Sequence, residues 1–170
     1  MRERFIFPLL ATIGLALFLP GLTAGAFFMD DGDIINSIRL RATLPLNELF
    51  DYRGQNLYFR PLLTISYLID AWLWDLKPAA MHLVNILLHV CNATLIYLCL
   101  RQLYPSQHKK IRIQPLTGAI LFLIHPINTE SVNWISGRSD PLAALFCLLA
   151  TWIIVKLITT PSSSSLPWLA

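Results

Sequence analysis

The chain has 170 residues, of which 55% are hydrophobic and only 14% charged, with a mean hydropathy of +0.58. That balance lies far to the apolar side of soluble domains and excludes an ordinary water-soluble globular fold. The formal net charge of +3 comes from 13 basic and 10 acidic side chains, and it reads as a membrane topology signal and not as a nucleic-acid patch.

An α-helix needs about 20 apolar residues to cross about 30 Å of hydrocarbon. The first candidate span, Phe5 to Ala26, carries no charge and follows Arg2 and Arg4. Its apolar run exceeds the roughly 7–15 residues of a signal-peptide core and no clear A-x-A site follows, so it reads as an uncleaved span. The second, 81–100, contains His82, Asn85, His89 and Asn92 but no formal charge. The third, 116–127, is short and runs into "HPIN". The fourth, 141–158, opens on a helix start, with Asp140 able to cap and Pro141 suited to the first helical position. After "TTPSSSS" the piece "LPWLA" reads as the start of a truncated further segment.

The expected fold is therefore all-α, a polytopic membrane helix bundle of about four transmembrane helices. Basic residues fix its orientation, because cytoplasmic connections hold the positive excess. Arg2 and Arg4, then Arg101, Lys109, Lys110 and Arg112, then Lys156 alternate along the chain as one side requires. They put the N-terminus in the cytoplasm, and the 27–80 region and the 128–140 loop on the opposite face.

The outer region is too patterned for disorder. In "DIINSIRLRAT" the residues Ile34, Ile35, Ile38 and Leu40 fall near helical spacing, so a short helix begins among the aspartates of "FFMDDGDII". Acids in a first turn complement the exposed amides and the dipole, which accounts for Asp30, Asp31 and Asp33 without any chemistry. In "NLYFRPLLTISYLIDAWLWDLKP" apolar and aromatic residues run throughout, broken by Arg60, Asp70 and Asp75. Its Tyr and Trp residues suit an interfacial helix lying along the membrane surface. Reading it as a span would reverse every later loop.

His82, Asn85, His89 and Asn92 recur at spacings of three and four and share one face of the second span. Such a stripe faces protein or water, with interhelical hydrogen bonding its commonest use. His82 and His89 stand about 10 Å apart along a helix, too far for one zinc ion. Cys91, Cys99 and Cys147 lie within spans and read as small packing residues. The chain has no CxxC, HExxH, Walker loop or GxGxxG.

Three blocks, "FFMDDGDIINSI", "YFRPLLTISYLIDAWLWDLKPAAMHLVNILLHVCNATLIYLCL" and "GAILFLIHPINTESVNWISGRSDPLAALFCLLA", carry a resemblance. In that order they are similar to the N-terminal portion of the transmembrane and tetratricopeptide-repeat O-mannosyltransferases and their bacterial relatives. These belong to the GT-C superfamily of multi-span glycosyltransferases that use lipid-phosphate sugars. The resemblance covers residues 28–150, and "HPINTESVNWISGRSD" is its most specific part. It implies a partial GT-C-like transmembrane domain over residues 1–160, with 161–170 beginning another segment.

The resemblance further implies a sugar, nearest to mannose, carried from a polyprenyl-phosphate donor to a protein Ser or Thr or a glycan at the outer face, which is the periplasm, exterior or ER lumen. Asp30 or Asp31 would take a proton from the acceptor hydroxyl, and such a general base contributes about 10²- to 10⁴-fold. The two carboxylates could instead hold a divalent cation, the only cofactor in view. The donor phosphate needs positive partners, for which Arg60, Arg138 and His125 are candidates, with Glu130 and His82 nearby in the same outer zone. Each has a plainer reading. Arg60 can snorkel, Arg138 can pair with Asp140 or Glu130, and His125 before Pro126 can simply end a helix. The alternative class is a non-enzymatic scaffold or transporter subunit. A full GT-C core has more spans than four, so the chain alone is expected to be inactive unless a further polypeptide completes the bundle. Membrane lipid is an expected partner and nucleic acid is not.

Overall fold

A computed structural model describes residues 3–23, 30–43, 60–104 and 113–159. Phe27, Phe28 and Met29, the 44–59 part of the outer region, the Lys109 to Arg112 basic cluster and the 161–170 piece lie outside the described residues. Every regular element described is helical, so the chain is an all-α membrane helix bundle.

Among the described residues seven α-helices follow in order: α1 (Ile6–Thr23), α2 (Asp31–Arg41), α3 (Pro61–Trp74), α4 (Pro78–Leu103), α5 (Ile113–Ile124), α6 (Thr129–Asn133) and α7 (Ser139–Thr159). Three have the length and apolarity to cross a membrane: α1, α4, and α7 extended back to Ser136. The third expected span is the 12-residue α5, only about 18 Å long at 1.5 Å per residue. It starts earlier than expected and stops at Ile124, because His125 is held extended by Pro126. Helix α7 also begins earlier than the Asp140 cap suggests. Ser139 is its first residue, and Asp140 sits within the first turn, where a carboxylate meets the positive end of the dipole.

Helix α4 is the hub, packed against α1, α5 and α7. Leu10 and Phe18 of α1, Ile86, Val90, Ala93 and Tyr97 of α4, and Ala119 and Leu123 of α5 bury one another in a continuous core. Gly14 makes the α1–α4 approach possible, since a Cβ there would stand 2.7 Å from Val90 Cγ2. All four polar residues of the α4 stripe are buried. His89 Nε2 meets the Leu123 carbonyl of α5 at 3.1 Å. Asn92 Nδ2 donates to the Pro141 carbonyl of α7 at 2.9 Å, and Asn85 Nδ2 to that of Trp134 at 2.8 Å. Hydrogen bonds to neighbouring elements therefore account for Asn85, His89 and Asn92 of the stripe.

A second, smaller core joins α2, α3 and the start of α4. Ile38 of α2, Tyr67 of α3, Leu76, Met81 of α4 and Ile135 are buried together. Helix α3 is split lengthwise. Tyr67 and Asp70 face this core, whereas Leu62, Ile65, Ile69 and Trp72 are exposed on the opposite side, the amphipathic division expected of an interfacial helix. The α3–α4 turn passes through Asp75 and Leu76 at φ 52° and 54°, a left-handed pair costly for residues with a Cβ. Burial of the Leu76 side chain in the second core holds it there.

Candidate functional site

The second core supports a turn, Trp134 to Arg138, that meets the start of α2. The 3-10 turn Ser136–Arg138 follows α6 after Trp134 and Ile135 and leads into α7. It passes close beneath α6 at Gly137, where a Cβ would lie 3.1 Å from the Ser131 Cα, so the residue is glycine for lack of room. Arranged this way, the turn aims side chains and amides at both aspartates.

Asp30 precedes α2 and is half-buried. The Trp134 indole N–H donates to its Oδ1 at 3.0 Å and the Ser136 hydroxyl to the same oxygen at 2.9 Å. Asp31, one residue on, is wholly buried. The Ser136 amide donates to its Oδ1 at 3.0 Å and the Ile135 amide to its Oδ2 at 3.5 Å. Burial pushes the Asp31 carboxyl above its ordinary range, the amide bonds pull it back, and the Asp30 charge beside it adds to the rise. Adjacent in sequence, the two carboxylates have different surroundings: Asp30 borders open space and Asp31 anchors the turn.

The open space is a cleft of about 670 Å³ lined by Asp30, Arg60, Glu130, Trp134, Ser136 and Asp140, among others. Beside it runs an apolar groove of about 470 Å³, bordered by Pro61, Leu62, Leu63, Leu142, Ala143 and Phe146. Arg60, Leu63, Ser139 and Asp140 line both cavities. A polar chamber thus adjoins an apolar channel, with an arginine where they meet. Ser131 and Ser139 hydroxyls donate to the two oxygens of Asp140, each at 3.3 Å.

Behind the turn lies Arg138, with 0% of its surface exposed. It forms an ion pair with Asp70 of α3. Its Nε donates to Asn85 Oδ1 at 2.9 Å, its Nη2 to the Met81 carbonyl at 3.1 Å and its Nη1 to the Ser66 hydroxyl at 3.4 Å. The guanidinium carbon lies 4.5 Å from the centre of the Tyr67 ring, a cation–π contact. Tyr67 in turn donates its hydroxyl to the Ile135 carbonyl at 2.7 Å. Burial raises that phenol far above its usual value, so it stays protonated and keeps donating.

Of the residues singled out in the sequence, Asp30, Arg60 and Glu130 come together on the cleft. Arg138 does not reach it, and the expected pairing with Asp140 or Glu130 is replaced by Asp70. Both of those acids are exposed, and a buried guanidinium needs a partner that is buried with it. His125 stands on the surface, where its Nδ1 accepts the Ile127 amide and caps the Pro126–Asn128 turn. His82 is buried near the start of α4, away from the cleft lining. Both Asp31 oxygens and Asp30 Oδ1 accept hydrogen bonds, and among the described residues no three His, Cys, Asp or Glu side chains converge. Trp134, Ser136, Tyr67 and Asp70 were not legible as site residues in the sequence. Trp134 and Ser136 lay within "HPINTESVNWISGRSD" and Tyr67 and Asp70 within the run read as an interfacial helix, with nothing in either stretch to single them out for the site.

Protein O-mannosyl-transferase TMTC4 of Homo sapiens is 34% identical over 145 residues, which is 74% of this chain and 20% of that protein. Protein O-mannosyl-transferase Tmtc1 of Drosophila melanogaster is 30% identical over 152 residues, 84% of this chain and 17% of the relative. Protein O-mannosyl-transferase TMTC2 of Mus musculus is 29% identical over 167 residues, 93% of this chain and 19% of the relative. The chain spans about a fifth of the length of these relatives. No protein-family model and no solved structure matches it.

Proposed function

This chain is a relative of the transmembrane and tetratricopeptide-repeat O-mannosyltransferases, and from that premise we propose that it supplies the catalytic end of a membrane glycosyltransferase. The sugar, mannose in the first instance, moves from a polyprenyl-phosphate donor to a protein Ser or Thr hydroxyl on the face where the cleft opens. That face is extracytoplasmic, with the N-terminus of α1 in the cytoplasm.

The observation that carries the reading is Asp30: a carboxylate on a cleft, with one oxygen already held by Trp134 and Ser136. In this mechanism Asp30 Oδ2 takes the proton of the acceptor hydroxyl while its oxygen attacks the anomeric carbon. The bond from that carbon to the phosphate oxygen breaks, its electron pair leaves with the lipid phosphate, and the configuration inverts. A hydroxyl is a weak nucleophile at neutral pH, so a positioned base is what the step needs. The leaving phosphate is a stable anion and requires charge neutralisation more than a proton. Arg60 takes that part, since it lines both the polar cleft and the apolar groove where a lipid phosphate and its chain would divide. Glu130 borders the same space and is available to a sugar or acceptor hydroxyl, with His125 and His82 outside the reacting set.

The test uses the longest reading frame that contains this segment, reconstituted with radiolabelled polyprenyl-phosphate mannose and protein acceptors. Transfer abolished by Asp30→Asn in a protein that still inserts supports the reading. Absence of transfer from any lipid-linked sugar overturns it in favour of a scaffold.

A further inference from the structure

Arg138 sits in the transferase-like block of the sequence yet is shut away from the cleft, and its surroundings explain why a charge is buried there. Three elements converge on one guanidinium: α3 through Asp70, Ser66 and the Tyr67 ring, α4 through Asn85 and the Met81 carbonyl, and the Trp134–Arg138 turn through the arginine's own backbone. Two further bonds tie the same turn to the same helices, Tyr67 to the Ile135 carbonyl and Asn85 to the Trp134 carbonyl. On its other side that turn presents the Trp134 indole, the Ser136 hydroxyl and two amides to Asp30 and Asp31.

We propose that Arg138 is a positioning residue: its buried pairing with Asp70 fixes the Trp134–Ser136 turn, and through it the Asp30 carboxylate. A buried ion pair is weak support for stability, because desolvation offsets most of the attraction, but its hydrogen-bond geometry is demanding. The planar guanidinium spreads its donors over α3 and α4 at fixed angles, which a lysine cannot do. The turn is thereby referenced to α3 and to α4, which is itself packed in the bundle core. The catalytic consequence rests on the transferase reading; the positional claim does not.

Its test keeps the two apart. The chain is labelled with ¹⁵N-tryptophan in lipid nanodiscs, and the Trp134 indole N–H signal is assigned with Trp134→Phe and its dependence on the carboxylate with Asp30→Asn. Arg138→Met alone leaves Asp70 buried without its partner and risks unfolding, so the decisive variant is Arg138→Met combined with Asp70→Leu, which removes both charges of the pair together. The expected result is a helical, inserted protein whose Trp134 indole signal has moved to, or beyond, its position in Asp30→Asn. An indole signal unchanged from wild type overturns the proposal. Unfolding of the double variant overturns it too, because the pair would then serve stability alone. In the transfer-competent longer chain the same double variant loses about 10-fold or more in kcat with KM for the lipid-linked donor unchanged. A raised KM at constant kcat would make Arg138 a donor ligand and overturn its positioning role. Should the longer chain transfer no sugar at all, the transferase reading fails while the indole signal still decides the positional claim.

Discussion

Asp30 and Trp134 stand 104 residues apart in the chain and share a hydrogen bond of 3.0 Å between a carboxylate oxygen and an indole N–H. An indole nitrogen only donates and an ionised carboxylate only accepts, so the pair has one polarity. The contact couples the start of α2 to the turn entering α7. With the Ser136 hydroxyl on the same oxygen, it restricts the Asp30 carboxylate to one orientation and leaves Oδ2 as the candidate reacting atom.

Removing the indole donor while keeping an aromatic ring isolates that orientation. Trp134→Phe in the longer, transfer-competent chain is expected to lower kcat by about 10- to 100-fold, the range of one hydrogen bond to a charged group. Insertion and donor KM are expected to stay near wild type, as read from radiolabel transfer against donor concentration. An unaltered kcat would show that Asp30 needs no such restraint.

The adjacent aspartates are expected to separate in their effects. Asp31→Asn places an amide NH₂ where two backbone N–H groups require acceptors, and leaving buried donors poorly satisfied costs about 1–3 kcal/mol. Asp30→Asn at the half-exposed cleft position is expected to leave thermal stability within about 0.5 kcal/mol and to remove transfer. Thermal unfolding in detergent beside the transfer assay checks both. Equal destabilisation by the two substitutions would contradict the division of roles.

Much of this fold was legible because hydrocarbon imposes a length and a polarity. The runs that became α1, α4 and α7 could not be placed elsewhere, and the stripe His82, Asn85, His89 and Asn92 had to face protein or water and not lipid. The start of α2 among the aspartates followed from spacing, and the α3 helix from its run of apolar and aromatic residues. The partner of Arg138 was not legible. Asp140 and Glu130 are its neighbours in sequence, yet the pairing goes to Asp70, since burial and not chain distance selects a partner for a buried charge. The unequal standing of Asp30 and Asp31 was hidden for the same reason. It depends on which of two adjacent residues a distant turn covers.

Asp31 also gives stability a pH dependence of definite sign. Burial raises its carboxyl above the ordinary value of 3.8, so between the two values the folded protein binds more protons than the unfolded chain. By linkage this contribution is fully present below the unfolded value and is lost as pH rises through the folded one. Subtracting the stability of Asp31→Asn from that of wild type at each pH, from about pH 3.5 upward, is expected to give a difference that falls with rising pH and then levels. A difference rising with pH would mean that the Ser136 and Ile135 amides outweigh desolvation.

The α1–α4 contact offers a test of the bundle that is independent of any chemistry. A methyl group at position 14 would meet Val90 Cγ2 at 2.7 Å and Leu123 Cδ1 at 3.5 Å. Val90 is β-branched and fully buried, so it has little rotamer freedom with which to yield. Gly14→Ala is therefore expected to destabilise the chain by about 1–3 kcal/mol through overpacking, despite the better helix propensity of alanine. Val90→Ala alone leaves a cavity, whereas in Gly14→Ala/Val90→Ala the new methyl enters the vacated space. The double variant is then expected to be more stable than the sum of the two single changes by at least about 0.5 kcal/mol, the signature of directly contacting residues. Thermal unfolding of all four proteins in one detergent measures the coupling. Strict additivity would place Gly14 away from Val90 and overturn the packing of α1 on α4.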